Sequence, residues 1–463
     1  VTLPNHRLAF DARRLRNDED TNMTTPRSAT TVFLLCWLAL LFDGYDLYVY
    51  GATLPGFLSD PSWGATPALA GTVGSLALVG MLIGSLAAGI LTDRWGRRAL
   101  MLTSLTVFSI GMLGCVLAPD FTVFAVLRFL TCVGVGGLLP TAVAVANEFA
   151  PRHRKSVFLG LVLTGPAVGS LLAALTSTLL LEQVGVRPVY AVGALSAVLT
   201  VAMFRNLPES PAFLRSQGRT DAARGVEDRY GLADTRTPQD TGATGTAAAR
   251  GPIATILEPR VLPATLLMWL AALIALLVVF GLSTWLPVIM VNAGFATASS
   301  VAFLAIYSAG AIVGTVIGAV LSQRTSPRTM VVVGFAAAAF ALVAAATVQH
   351  PAVLVVAIFV AGYGGLGTMN MLNDHIAHFY PARARATGLG WALAVGRLGA
   401  IAGPTYGFLV VTDAAGTSGA LAFAVPAAIG AVVALLMPRR ARTDTAAEAP
   451  AHHHSDPTAT EAP

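Results

Sequence analysis

The sequence predicts an all-α integral membrane protein with twelve transmembrane helices in two pseudo-symmetric six-helix bundles. Three observations carry that prediction. Only 11% of the 463 residues are charged and 55% are hydrophobic, whereas a soluble globular domain is about one quarter charged. The apolar runs are ~20 residues long, the length of a spanning helix, rather than the ~10 of a barrel strand. Once the runs are counted, Lys and Arg collect on one side of the membrane, the asymmetry that orients helical membrane proteins.

In order, the spans run over 29–56, 66–92, 99–118, 121–149, 157–182, 186–207, 264–291, 298–323, 329–349, 352–374, 386–411 and 416–437. Even counting puts both chain ends and the loops after spans 2, 4, 6, 8 and 10 on one face. All but three of the 29 Lys+Arg residues (Arg128, Arg187 and Arg397) lie on that face or at its edge. That face is expected to be cytoplasmic, in a cell (inner) membrane. The expected organisation is an N-terminal cytoplasmic segment 1–28, a six-helix bundle 29–207, a cytoplasmic linker 208–263, a second bundle 264–437 and a disordered tail 438–463. The middle of the linker, 231–251, is rich in Gly, Thr, Ala and Asp and reads as flexible. His452, His453 and His454 read as part of the tail rather than a metal tag. Pro140, Pro166, Pro287 and Pro404 are expected to break or kink spans 4, 5, 7 and 11.

Composition also excludes some functions. A net charge of +5 suggests nucleic acid, but the topology accounts for the basic residues, so no nucleic-acid partner is expected. Cys36, Cys115 and Cys132 lie in apolar runs without metal-ligand spacing and read as small packing residues. The region up to Arg27 has no signal-peptide hydrophobic core. No Gly-x-x-x-x-Gly-Lys-Ser/Thr loop is present, which disfavours an ATP-driven pump. No nucleophile or metal constellation stands out, so neither an enzyme nor a cofactor is expected.

The chemistry is concentrated in the first span, which reads Phe42-Asp-Gly-Tyr-Asp-Leu-Tyr-Val-Tyr-Gly-Ala-Thr-Leu-Pro55. Asp43 and Asp46 sit about halfway along it, where a charged side chain costs about 2.5–3.5 kcal/mol even on the lenient insertion scale. Their i, i+3 spacing puts both on one helix face. Neighbouring carboxylates resist ionising together, so one of the two is expected to carry a proton. The alternative is a buried ion pair tying span 1 to a neighbour. Arg397, near the middle of span 11 between Gly396 and Gly399, keeps its charge, and its planar fork matches a carboxylate. It either binds a substrate carboxylate or is a fixed counter-ion for Asp43 or Asp46. Arg128, about 10 Å into span 4, either helps move a proton or makes a structural pair with the span 1 acids.

Two loops in equivalent positions support fused halves: Gly89-Ile-Leu-Thr-Asp93-Arg94-Trp-Gly96-Arg97-Arg98 after span 2, and Gly318 to Arg328 after span 8, a degraded echo. The first resembles the Gly-x-x-x-Asp-Arg-x-Gly-Arg-Arg/Lys loop of major facilitator superfamily transporters. That resemblance implies that Gly89, Asp93, Arg94 and Arg97 hold helix ends together in one conformation and release them in another. The second copy lacks the aspartate, so a weaker lock is expected there. Asp43-Gly-Tyr-Asp46 is similar to the motif of that superfamily's aromatic acid:proton symporters. Leu127-Arg128-Phe129 through Gly137, Trp285-Leu286-Pro287, Phe379-Tyr380-Pro381 and Gly396-Arg397-Leu398-Gly399 agree with it. The family pattern has glycine where Cys132 stands, so a looser helix contact is expected there. Tyr-Asp-Leu followed by Val-Tyr-Gly is most similar to the benzoate-type branch.

The resemblance implies a proton-coupled symporter importing an aromatic carboxylate by alternating access. Its substrate site would lie near mid-membrane between the halves. Asp43, Asp46 and Arg128 would handle the proton. Arg397 would take the carboxylate, Asn370 a ring hydroxyl, and Tyr45 and Trp391 the ring. Glu148, beside Arg97 at a cytoplasmic helix end, would join the gate; a plain surface salt-bridge cluster is the alternative. The expected partners are an aromatic acid, protons and the lipid bilayer, with the protein a monomer. Export by proton antiport is a rival, supported by Gly165-Pro166 with Gly169 in span 5. A non-transporting membrane sensor on the same fold is another.

Overall fold

A computed structural model describes residues 29–150, 155–230, 232, 252–322, 324–348, 350–411 and 418–438. The expected N-terminal segment, most of the flexible linker middle, Arg152, Arg154 and the histidine tail lie outside these residues. Among the described residues are twelve helices long and apolar enough to span a membrane. They run over Thr30–Ser59, Pro67–Trp95, Arg97–Leu117, Phe121–Phe149, Val157–Val184, Val186–Asn206, Leu262–Asn292, Thr297–Ser322, Pro327–Thr347, Pro351–Phe379, Ala384–Val411 and Gly419–Leu436. We number them spans 1 to 12. Large apolar side chains such as Phe340, Leu117 and Ile90 stand exposed along them, as a lipid-facing surface requires.

The helix ends follow local rules. Thr66 and Ser326 cap spans 2 and 9 by accepting from the third backbone N–H, and each is followed by proline at the first helical position. Asp120 accepts from Thr122 and Val123 N–H at 2.8 and 2.9 Å and caps span 4. Gly96 alone joins spans 2 and 3 at φ +83°, and a Cβ there would lie 2.7 Å from the Phe213 ring. The prolines act unequally. The helix stops at Val162 and restarts at Gly165-Pro166, whereas it runs through Pro140, Pro287 and Pro404 without a break. In those three cases neighbouring helices hold the segment straight enough to continue. Span 10 instead contains a wide π turn at Tyr363–Gly367. The linker is also more ordered at its ends than its composition suggests, with short helices at Pro211–Ser216, Thr220–Tyr230 and Pro252–Ile256.

The two bundles repeat one packing plan. Spans 1 and 5, 2 and 4, and 3 and 6 pair in the first half; 7 and 11, 8 and 10, and 9 and 12 pair in the second. Between the halves, span 2 meets span 11, span 5 meets span 8 and span 1 meets span 7. The repeat extends to side chains. Arg98, second residue of its helix, donates to the Phe204 carbonyl at the end of span 6 at 2.7 Å. Arg328, also second in its helix, donates to the Ala434 and Leu435 carbonyls at the end of span 12. Each arginine satisfies carbonyls that a helix C-terminus leaves unpaired.

Candidate functional site

Span 1 lies at the centre of the first half because its small residues allow other backbones to approach. A Cβ on Gly44 would fall 2.0 Å from the Pro166 carbonyl oxygen. The glycine between the two aspartate neighbourhoods is therefore a docking point for span 5. The Gly165-Pro166 break that hinted at export is the other side of this contact. Span 11 seats on span 7 in the same way, with Gly399 against the Leu273 carbonyl.

The two aspartates have different partners. Asp46 is fully buried and ion-paired with Arg128, itself 3% exposed. A second Arg128 nitrogen donates to the Asp46 backbone carbonyl at 2.6 Å, and the Cys132 thiol lies 3.5 Å from the other carboxylate oxygen. Cys132 thus adds a polar contact to Asp46. Of the two carboxylates expected to act together, only Asp46 is ion-paired among the described residues, and Asp43 remains within electrostatic reach of it.

Asp43 is 2% exposed, and its Oδ1 has no hydrogen-bond partner among the described residues. It makes no ion pair there either. Arg397 of the other half is an opposite charge within electrostatic reach of it. The Arg397 guanidinium, half-buried, donates to the Met81 thioether of span 2 at 3.2 Å. A thioether is a weak acceptor for a fork of five donors. An unpartnered carboxylate of one bundle and an under-used guanidinium of the other therefore lie within electrostatic reach of each other, each near the middle of its span.

Three other expected site residues have partners of their own. Tyr45 is fully buried inside the first bundle, where its hydroxyl donates to the Val189 carbonyl at 2.6 Å and lies 3.1 Å from Thr176 Oγ1. It ties span 1 to spans 5 and 6. Trp391 stacks on Trp269 at 5.5 Å, 44% exposed, about 120° around span 11 from Arg397. Asn370 donates to Thr315 Oγ1 of span 8 at 3.2 Å.

The halves are joined on the face away from the chain ends. Ser75 Oγ and Thr405 Oγ1 are 2.7 Å apart, and Glu182 accepts from the Ala298 N–H at the start of span 8 at 2.7 Å. A Cβ on Gly51 would strike the Ser283 carbonyl at 2.1 Å. On the termini face, Gly89 and Gly390 have open space where a side chain would go. Asp93 and Arg94 are exposed and make no ion pair among the described residues. The hydrogen bonds of Ser75 with Thr405 and of Glu182 with Ala298 thus both join the halves on the face away from the termini.

Of the residues expected to form the gate, Arg97 and Glu148 do join in a polar network. Arg97 pairs with Glu148 at 2.8 Å and donates to Ser210 Oγ at 2.8 Å, and Ser210 donates to Glu148. Glu209 accepts from the Arg98 backbone N–H at 3.1 Å. Sequence reasoning missed Ser210 and Glu209. Ser-Pro directly after an apolar run is a helix-start signal and could have found the first.

The family model described as Major Facilitator Superfamily matches residues 36–404 and 302–459. The chain belongs to the major facilitator superfamily. Within it, the chain groups with the aromatic acid transporters. It is 29% identical to the benzoate transport protein of Acinetobacter baylyi, covering 88% of this chain and 89% of that one. It is 30% identical to the 4-hydroxybenzoate transporter PcaK of Pseudomonas putida, covering 80% and 84%. It is 29% identical to the gentisate transporter of Corynebacterium glutamicum, covering 89% and 88%. Among solved structures, the xylose transporter XylE from E. coli, in a partially occluded inward open conformation, matches with TM-score 0.67 at 16% identity, over 89% of this chain and 98% of that one. These are transporters rather than enzymes. Identities this close together do not single out the benzoate-type branch.

Proposed function

We propose that this transporter imports an aromatic carboxylate together with a proton, by alternating access between its two bundles. The observation that supports the reading is the buried Asp43 carboxylate, without a hydrogen-bond partner for its Oδ1 among the described residues and within electrostatic reach of Arg397 of the other bundle. The names of the similar transporters supply the substrate class. The asymmetry of Lys and Arg supports termini in the cytoplasm, and the contacts between the halves on the opposite face support an inward-facing reading.

Coupling follows from charge. In the proposed cycle the buried ion pair of Asp46 and Arg128 stays neutral and intact. The remaining charges are Arg397, Asp43 and the substrate. Arg397 with ionised Asp43 sums to zero, which lets the empty carrier close around its site. Arg397 with protonated Asp43 and a bound carboxylate also sums to zero, which lets the loaded carrier close. The mixed states, proton without acid or acid without proton, leave one uncompensated charge in the occluded core. That costs several kcal/mol. Only the coupled forms cross quickly.

One proton with one monoanion moves no net charge, so the pH gradient drives uptake and the membrane voltage does not. Release inward is a proton leaving Asp43, which then competes for Arg397 and expels the acid. The gate at Arg97, Glu148 and Ser210 would rearrange as the termini face closes, bringing Asp93 and Arg94 toward partners that they lack here.

The test is uptake of labelled benzoate and hydroxybenzoates into proteoliposomes. Accumulation should follow an inward proton gradient and collapse with a protonophore. Accumulation that ignores the protonophore would refute the coupling.

A further inference from the structure

One buried polar group has no part in the scheme above: the hydroxyl of Tyr307 in span 8. Tyr307 is fully buried, and its hydroxyl has no hydrogen-bond partner among the described residues. Buried tyrosine hydroxyls ordinarily find one, and others in this chain do. Tyr45 donates to the Val189 carbonyl and Tyr50 to the Ala70 carbonyl, each at 2.6 Å. Tyr380 pairs with Thr265 at 2.7 Å.

The surroundings of Tyr307 point to the central site. A Cβ on Gly365 would lie 2.7 Å from its hydroxyl and 3.1 Å from Val279. Gly365 belongs to the π turn of span 10, and such turns occur frequently at functional positions. Tyr48 of the opposite bundle is within electrostatic reach of Tyr307. Tyr48 follows Asp43 by five residues, roughly 7–8 Å toward the outer face. Three residues beyond it, Gly51 meets Ser283 and closes that face. The register therefore sets Tyr48, with Tyr307 and the π turn near it, above Asp43 and below the Gly51–Ser283 contact, the level assigned here to the roof of the central site.

We propose that the Tyr307 hydroxyl is the specificity-determining contact for a polar substituent on the substrate ring, favouring hydroxylated aromatic carboxylates over unsubstituted ones. The inference rests on the aromatic-acid reading above. With the carboxylate on Arg397, the ring extends toward the roof. A hydroxyl meta or para to the carboxylate then supplies the partner that Tyr307 lacks. An unsubstituted ring leaves it unpaired. Sites that pair with a substrate hydroxyl discriminate against the analogue without it.

The experiment measures binding of 4-hydroxybenzoate, 3-hydroxybenzoate and benzoate to the purified full chain and to Tyr307→Phe. The wild type should prefer at least one hydroxy acid over benzoate by roughly 3–10-fold, the worth of one neutral hydrogen bond. Tyr307→Phe should lose that preference while benzoate affinity holds, which also reports an intact fold. Equal weakening of all three acids would overturn the inference, as would wild-type affinity for benzoate matching that for both hydroxy acids. The wild-type comparison alone can therefore refute it if the variant does not fold. Wild type that binds none of the three would overturn the aromatic-acid reading itself.

Discussion

Replacing Asp43 by Asn keeps the shape of the side chain and removes its charge and its titration. The loaded carrier is barely affected: Arg397 with a bound carboxylate and a neutral residue 43 still sums to zero. The empty carrier is affected strongly. With no ionised Asp43, Arg397 must be occluded alone, its only hydrogen bond among the described residues going to the Met81 sulfur. The lenient insertion scale puts an uncompensated charge at mid-membrane at about 2.5–3.5 kcal/mol. At 1.36 kcal/mol per tenfold in rate, the empty carrier should reorient roughly a hundredfold more slowly. Net uptake requires that step and exchange does not. In proteoliposomes, Asp43→Asn should therefore lose concentrative uptake by about two orders of magnitude and retain counterflow of labelled acid against unlabelled acid. The remaining exchange should also be less sensitive to pH. Full accumulation by the variant, or equal loss of exchange and net uptake, would refute the charge argument.

Other substitutions separate the roles that the structure assigns. Asp46→Asn leaves Arg128 buried without its counter-ion, a change worth about 3–5 kcal/mol; it should lower the thermal midpoint and the yield of folded protein rather than uncouple transport selectively. Arg397→Ala should weaken binding of an aromatic acid by at least tenfold and leave binding of the corresponding amide nearly unchanged; equal loss of both would argue against carboxylate recognition. Gly44→Ala drives a methyl group into the span 5 backbone at Pro166, and a stable, active variant at normal yield would show that this packing is not required.

The fold was legible because two signals reinforce each other. Lipid demands long apolar helices with internally satisfied backbones, and the positions of Arg and Lys then leave little choice in how the spans alternate. The second basic loop was also readable as an echo of the first. Arg328 serves as a helix cap, as Arg98 does. The site was legible in its cast more than in its arrangement. Asp43 and Asp46 share a helix face by spacing. Which of them Arg128 captures depends on how span 4 is rotated and how deeply it sits, and three glycines and Cys132 set those in three dimensions. Tyr45 lies between the two aspartates in sequence, yet the helix turns its side chain toward Val189, away from the boundary. Trp391 sits six residues from Arg397, a spacing that places it on another face. The partners of Tyr307 and of Ser210 depend on contacts between distant segments, and no local pattern encodes those.

The most direct test is to count protons as the acid binds. Adding a saturating hydroxybenzoate to the detergent-purified protein in weakly buffered solution near neutral pH should draw close to one proton from solution per acid bound. Asp43→Asn should bind the acid and take up none. Equal proton uptake by the two proteins, or none by the wild type at any pH where the acid binds, would contradict the account.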